Sequence, residues 1–214
     1  MNFNLPKIYP ITDARLSKIS HAEQVERLIS GGAEFIQIRE KYAAPQEFYE
    51  SAREVLRIAR NGSTKIVIND RVDIALALGA DGVHLGQDDL PPAEARKVLG
   101  EKAIIGFSTH NVRQAIEAVR LPIDYVAVGP IFATTTKENP DETIGLDGLK
   151  KVRTAIGDFP LVAIGGINLR NFRDVLNAGA NSVAVIKDLL YDVEKISEKM
   201  REFSANHNAN ENFD

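Results

Sequence analysis

Short apolar segments alternate with segments of helical periodicity along most of the 214 residues, and eight such pairs can be counted. The apolar segments are almost continuously hydrophobic and rich in β-branched residues, which is typical of parallel strands covered on both faces. The phrase Gly-Ala-x-x, followed by a strand, recurs at Gly32, Gly79 and Gly179. These observations predict an α/β protein folded as a single (β/α)8 TIM barrel.

The elements follow from the same pattern. The predicted strands cover residues 8–12, 35–39, 65–69, 82–85, 103–107, 125–128, 161–164 and 182–186. A helix opens at Ser20 or His21 and ends at Gly31, a second covers residues 45–60, and the last covers residues 189–203. We expect the barrel to span residues 1–203 and residues 204–214 to form a disordered tail. An open doubly wound sheet is disfavoured because no Gly-x-Gly-x-x-Gly follows the first strand.

Composition excludes several classes of function. The 26 basic and 30 acidic residues are interspersed, so no basic stripe is present to bind nucleic acid. No apolar run approaches the ~20 residues that span a membrane, and a cytoplasmic protein is expected. The absence of cysteine leaves oxygen or histidine ligands for any metal. The oligomeric state is left open by the sequence, with a homo-oligomer among the options.

In this fold the active site lies at the carboxyl ends of the strands. The second strand ends in Gln37, Arg39 and Lys41, which share one face if the strand continues. Two inward-facing cations need an anionic partner. That partner is either Glu40 or Asp70 in a salt bridge, or a bound polyphosphate.

Carboxylates follow the third and fourth strands. Asp70, with either Asp88 or Asp89, could hold one Mg²⁺ ion, which takes one or two carboxylates and leaves its other positions to water and phosphate. Each carboxylate also resembles an ordinary helix entry. Taken with the cations on the second strand, the set predicts a magnesium diphosphate site.

The fifth to eighth strands end in further anion-binding groups. The loop after the sixth strand carries Thr134, Thr135, Thr136 and Lys137, which suit a phosphate, although a solvated polar loop is the alternative. We expect residues 134–142 to form a mobile lid. Ser108 can donate a hydroxyl, and His110 is either an acid or base or, as we favour, a helix cap. Gly165-Gly166 and Lys187 predict a monophosphate site after the seventh and eighth strands.

Six motifs resemble those of the thiamine-phosphate synthase (thiamine-phosphate pyrophosphorylase) family. They are Gln37-Ile-Arg-Glu-Lys41, Ile68-Asn-Asp70, Gly82-Val-His-Leu-Gly-Gln-Asp-Asp89, Gly106-Phe-Ser-Thr-His110, Gly129-Pro-Ile-Phe-Ala-Thr-Thr-Thr-Lys137 and Val162-Ala-Ile-Gly-Gly-Ile167. The resemblance covers about residues 8–200. It implies condensation of 4-amino-5-hydroxymethyl-2-methylpyrimidine diphosphate with 4-methyl-5-(2-phosphoethyl)thiazole to give thiamine phosphate and diphosphate.

The resemblance also implies the site residues. Those matching the positions around the pyrimidine diphosphate are Gln37, Ile38, Arg39, Glu40, Lys41, Asn69, Ser108 and Lys137, and those around the thiazole phosphate are Thr134, Thr135, Thr136, Gly166, Ile186 and Lys187. Asp70 and Asp89 match the magnesium ligands. We expect Arg39, Lys41, Ser108 and Lys137 to act in catalysis by binding the charge that develops on the diphosphate. Lys187 is a departure, because the family typically has Ser there.

Three other functions remain as alternatives. A thiazole tautomerase would use His110 as a proton carrier and would not need the diphosphate and metal set. An aldolase with a Schiff-base lysine would have Lys187 as its candidate. A non-catalytic regulator on the same barrel is the third.

Overall fold

The computed structural model describes residues 4–134 and 142–208 of the chain. Its strands are β1 (Ile8–Thr12), β2 (Phe35–Ile38), β3 (Lys65–Asn69), β4 (Gly82–Leu85), β5 (Ile104–Thr109), β6 (Tyr125–Val128), β7 (Leu161–Ile164) and β8 (Ser182–Val185). Every neighbouring pair is parallel, and β8 pairs with β1, so the sheet closes into a barrel. The predicted (β/α)8 barrel is confirmed.

Helices surround the barrel. They are α1 (Ala14–Ser17), α2 (His21–Ser30), α3 (Pro45–Ala59), α4 (Val72–Leu78), α5 (Pro92–Leu99), α6 (Val112–Ala118), α7 (Gly145–Ile156), α8 (Phe172–Asn177), α9 (Lys187–Leu190) and α10 (Ile196–Asn208). Ser20 caps α2 in a reciprocal arrangement with Glu23, which confirms the predicted helix start. Among the described residues, no helix is long and apolar enough to cross a membrane.

The core has two layers because successive side chains of a strand point to opposite sides. One set packs between the barrel and the helices, and the other fills the barrel interior. Large rings occupy the interior, notably Tyr9, Phe35 and Tyr125. Gly106 makes room for them, since an added Cβ there would lie 2.0 Å from Cζ of Tyr125.

The recurring Gly-Ala-x-x motif ends one helix and positions the strand that follows it. Gly79 and Gly179 have positive φ angles of 60° and 112°, which end the preceding helix at little steric cost. Two residues later, the side chain of Asp81 accepts a hydrogen bond from the Ile66 backbone N–H, and that of Asn181 accepts one from Leu161. These bonds fix the start of one strand against its neighbour.

The carboxyl-terminal region differs from the prediction of a single helix over residues 189–203. It forms α9, a 3₁₀ turn at Val193–Lys195, and then α10. Asp192 is in an extended conformation and interrupts the helix. Because α10 continues to Asn208, residues 204–208 are helical, and the rest of the predicted tail lies outside the described residues.

Candidate active site

A cavity of about 1080 Å³ opens at the carboxyl ends of the strands. The residues predicted from the sequence that line it are Gln37, Arg39, Lys41, Asn69, Asp70, Asp89, Ser108, Thr134, Gly166, Ile186 and Lys187. The structure therefore brings together side chains from well-separated segments. Thr135, Thr136 and Lys137, with most of the proposed lid, lie outside the described residues.

Ile38 and Glu40 are placed differently from the rest of their motif. The Ile38 side chain is fully buried in the layer between barrel and helices. The Glu40 carboxylate turns back to accept hydrogen bonds from the backbone N–H groups of Tyr42 and Ala43, and lies 3.4 Å from Nε2 of buried His21. Neither residue is among those that line the cavity, and Glu40 shapes the turn that carries Lys41.

The two cations at the end of β2 are each paired with a carboxylate. Arg39 Nη1 lies 3.2 Å from Asp13 Oδ2, and Lys41 contacts Asp70. Asp70 is thus confirmed as a salt-bridge partner, whereas the alternative in which Glu40 fills that role is wrong, because Asp13 from the end of β1 does so. Neither cation is deeply buried, so a competing anion can reach both.

Asp70 and Asp89 come together at the ends of β3 and β4. Burial raises the pKa of Asp70, Lys41 lowers it, and the neighbouring Asp89 carboxylate raises it again. Asp89 Oδ2 accepts a hydrogen bond from the Gly86 backbone N–H at 2.6 Å. Of the two candidates after β4, Asp89 is the one beside Asp70, although Asp88 also lines the cavity.

The alternative that these carboxylates merely cap helices is wrong. The cap position of α4 is Arg71 and that of α5 is Pro91, and neither helix has a side-chain capping bond. Asp70 itself adopts a positive φ of 62°, a conformation that a non-glycine residue rarely adopts and that occurs at functional sites. These aspartates are therefore available to the cavity.

Tyr9 and His84, which the sequence interpretation missed, line the floor of the cavity, and Tyr125 lies buried beside them. Tyr9, His84 and Tyr125 are buried inside the barrel, and His84 Nε2 lies 2.8 Å from Oγ of Ser108. Burial lowers the pKa of His84 to about 4, so this histidine is neutral. The two-residue periodicity of β1, β4 and β6 predicts that these residues face inward, but it does not distinguish a polar floor from core.

The opposite side of the mouth depends on close backbone approach. An added Cβ at Gly129 would lie 2.1 Å from the Ile164 carbonyl oxygen, and one at Gly166 would lie 2.7 Å from the Ala133 carbonyl oxygen. Gly165 and Gly166 have φ angles of 103° and 66°. Only glycine fits these positions without displacement of the loop after β6.

Lys187 begins α9 at the end of β8 and lines the cavity. The next residue, Asp188, accepts a hydrogen bond from the Leu169 backbone N–H, and Lys199 donates to the Asp188 carbonyl oxygen at 2.6 Å. These contacts hold the start of α9 next to the loop after β7.

His110 does not cap α6, so the favoured interpretation is wrong. The cap is Asn111, whose side chain accepts a hydrogen bond from the Gln114 backbone N–H. His110 Nδ1 lies 2.9 Å from the Gly129 carbonyl oxygen, and His110 is also one of the residues that line the cavity.

The mouth thus has two halves. We call Arg39, Lys41, Asp70 and Asp89 the charged half, and Gly129, Gly165, Gly166 and Lys187 the backbone half. A TIM barrel with cations, paired carboxylates and glycine-lined loops at its carboxyl end has the features of an enzyme that binds phosphorylated ligands.

Comparisons with known proteins identify the family. The model of the thiamine monophosphate synthase family matches residues 8–189, so the chain belongs to that family. The thiamine-phosphate synthase of Chloroflexus aurantiacus is 49% identical over 181 residues, 84% of this chain and 83% of that protein. That of Clostridium novyi is 49% identical over 185 residues, 86% of this chain and 90% of that protein.

A solved structure agrees with this assignment. The thiamine phosphate pyrophosphorylase from Pyrococcus furiosus superimposes with a TM-score of 0.83 at 37% identity, covering 93% of this chain and 94% of that one. The chain is accordingly an enzyme of the transferase class.

Proposed function

We propose that the protein condenses 4-amino-5-hydroxymethyl-2-methylpyrimidine diphosphate with 4-methyl-5-(2-phosphoethyl)thiazole, giving thiamine phosphate and diphosphate. The observation that carries this proposal is the charged half, where two cations and two carboxylates from three strands meet at one cavity. A site that binds a single phosphate does not need this many charges. The names of the relatives point to the same reaction.

The charged half suits Mg²⁺. Among the described residues, no cluster of three or more histidine and acidic side chains could hold a metal alone. Mg²⁺ nevertheless usually binds only one or two protein carboxylates when phosphate oxygens supply further ligands, and two neighbouring carboxylates meet that requirement. Asp70 fits this role, because its pKa is raised by burial and by Asp89, and a bound cation would relieve that repulsion. Asp70 and Asp89 would hold the ion, which when bound would neutralise charge on the diphosphate.

The reaction breaks the bond between the pyrimidine methylene carbon and the diphosphate oxygen, and the electron pair leaves with the diphosphate. Arg39 and Lys41 would exchange their carboxylate partners for the departing oxygens, while Ser108 donates a hydrogen bond to the same group. The aminopyrimidine delocalises the positive charge, so no protein nucleophile is required. The thiazole nitrogen then bonds to the methylene carbon.

The backbone half would hold the thiazole partner. Its phosphate would lie against the backbone at Gly166 and the ammonium group of Lys187, with Thr134 beside it. This arrangement points the thiazole ring toward the centre of the mouth, where the two substrates meet. Lys137 and the two threonines before it remain predicted contributors to these contacts.

The test is an assay of the purified protein with both substrates and Mg²⁺, with and without a chelator. We expect thiamine phosphate to form in the presence of Mg²⁺, and the chelator to stop its formation. If folded protein gave no thiamine phosphate under these conditions, the proposal would be wrong and the thiazole tautomerase would become the leading alternative.

A further inference from the structure

Five side chains form a continuous hydrogen-bonded series across the barrel interior. Gln37 Nε2 donates to the Tyr9 hydroxyl oxygen at 2.8 Å, and the hydroxyl groups of Tyr9 and Tyr125 lie 2.9 Å apart. The Tyr125 hydroxyl lies 2.9 Å from Nδ1 of His84, whose Nε2 lies 2.8 Å from Oγ of Ser108. Gln37 lies at one end of the series and Ser108 at the other, and both residues line the cavity.

The three central groups are neutral. Burial raises the pKa of both tyrosine hydroxyls and lowers the pKa of His84 to about 4. Each phenol therefore has one proton to donate, and the imidazole has one N–H group and one acceptor nitrogen. In the outward direction each group donates toward Ser108, and the imidazole proton is on Nε2. In the inward direction each group donates toward Gln37, and the imidazole proton is on Nδ1.

The hydrogen bond between Gln37 and Tyr9 favours the outward direction. The Gln37 amide N–H can only donate, so the Tyr9 oxygen accepts from it and the Tyr9 proton goes to Tyr125. In the inward direction Tyr9 would accept twice, and its own proton would find no acceptor among the described residues. An unpaired buried hydroxyl proton is costly. Hence Tyr125 donates to His84 Nδ1, and His84 Nε2–H donates to Ser108.

We propose that Tyr125 is a positioning residue, which holds His84 in the Nε2–H form so that the Ser108 hydroxyl can donate its proton only toward the cavity. The Ser108 oxygen is then occupied as an acceptor, which makes this serine a donor suited to an anionic oxygen. Identification of that oxygen as part of the diphosphate rests on the proposed function. The direction of the series does not.

The direct test is the nitrogen-15 spectrum of protein labelled at histidine, with the His84 signals assigned by their loss in His84→Gln. We expect Nε2 to be protonated and Nδ1 to be unprotonated. In Tyr125→Phe the imidazole loses its fixed donor, and we expect a mixture of the two forms. Tyr9→Phe is the matched control, because it removes one hydroxyl from the same core but leaves the Tyr125 proton with His84 as its acceptor.

A double-mutant cycle tests the functional part. We expect kcat/KM for the pyrimidine diphosphate to fall roughly 30-fold in Ser108→Ala, which loses a hydrogen bond to a charged group, and roughly 10-fold in Tyr125→Phe, in which that bond is only weakened. The double variant should be no worse than Ser108→Ala, with the KM for the thiazole phosphate unchanged.

Two results would overturn the inference. A protonated Nδ1 in the wild type would show that the series runs inward, and additive losses in the double variant would show that Tyr125 does not act through Ser108. The spectrum needs no substrate, so it gives its answer even if the protein failed to make thiamine phosphate.

Discussion

The charged half of the mouth is formed by charged side chains, whereas the backbone half is formed mainly by glycines, which have no side chain. Arg39, Lys41 and the two aspartates reach one point from three strands, each held by an ion pair or a backbone contact. Across the cavity, the backbone at Gly165 and Gly166 approaches the loop after β6 so closely that an added Cβ would lie 2.5 Å and 2.7 Å from it, respectively. One half therefore offers charged groups that can exchange partners, and the other offers a closely packed backbone surface.

This difference matters for the proposed chemistry. A departing diphosphate gains charge during the reaction and requires groups that respond to charge. A phosphate that only anchors the second substrate needs shape and fixed donors. The charged half should therefore govern turnover and the backbone half substrate affinity.

The largest expected effect is the loss of Asp89. In Asp89→Ala we expect Mg²⁺-dependent turnover to fall by roughly 1000-fold, because metal assistance is worth several kcal/mol and each ~1.4 kcal/mol is a factor of ten. Asp70→Ala should behave alike, and Asp88→Ala is the matched control with a much smaller loss. Steady-state kinetics at varied Mg²⁺ measure this. Full activity in either of the first two variants would refute the metal assignment.

The floor between the two halves should make stability depend on pH. The pKa of His84 falls from 6.5 to about 4 on folding, so the unfolded chain binds the proton first as the pH is lowered. The contribution of neutral His84 to the free energy of unfolding is complete above about pH 6.5 and is lost as the pH falls toward 4. This difference corresponds to about 3 kcal/mol. In urea titrations, His84→Gln should lose less unfolding free energy between pH 7 and pH 4, and identical losses would contradict this.

Gly166→Ala tests the backbone half. The new Cβ would meet the Ala133 carbonyl oxygen at 2.7 Å, and φ of 66° adds strain of about 1–2 kcal/mol. We expect the KM for the thiazole phosphate to rise about 10-fold while the KM for the pyrimidine diphosphate changes little. Gly100→Ala is the control, because it has φ of 82° but open space around an added Cβ. Equal increases in the KM values of both substrates would mean that the two halves do not bind different substrates.

The smallest expected effect concerns Lys187. Lys187→Met should raise the KM for the thiazole phosphate about fivefold, since a partly exposed ion pair contributes up to about 1 kcal/mol. The effect should shrink at high salt. Lys97→Met, on exposed α5, removes an equal charge elsewhere and should change neither KM. An increase in the KM for the pyrimidine diphosphate instead would place Lys187 in the wrong half.

The barrel could be predicted because each strand and helix carries its own periodic signal. The charged half was also predictable, since its four side chains come within four residues of the ends of three strands, although β2 ends at Ile38 and does not continue to Lys41 as the alternation assumed. Such inferences need only the rule that the carboxyl ends of all the parallel strands lie at the same end of the barrel.

Contacts between distant segments could not be predicted in this way. The pairing of Arg39 with Asp13 and the series through Tyr9, Tyr125 and His84 depend on strand register and side-chain reach. Glu40 was misleading because its neighbours in the motif line the cavity while its own carboxylate closes a turn. The break at Asp192 carries no glycine or proline signal.

The most direct test of the two-half account is a calorimetric titration with inorganic diphosphate. We predict tight binding that requires Mg²⁺, is lost in Asp89→Ala and is unchanged in Lys187→Met. Binding of equal strength in the presence of a chelator, or its loss in Lys187→Met, would contradict the assignment of the diphosphate and its metal to the charged half.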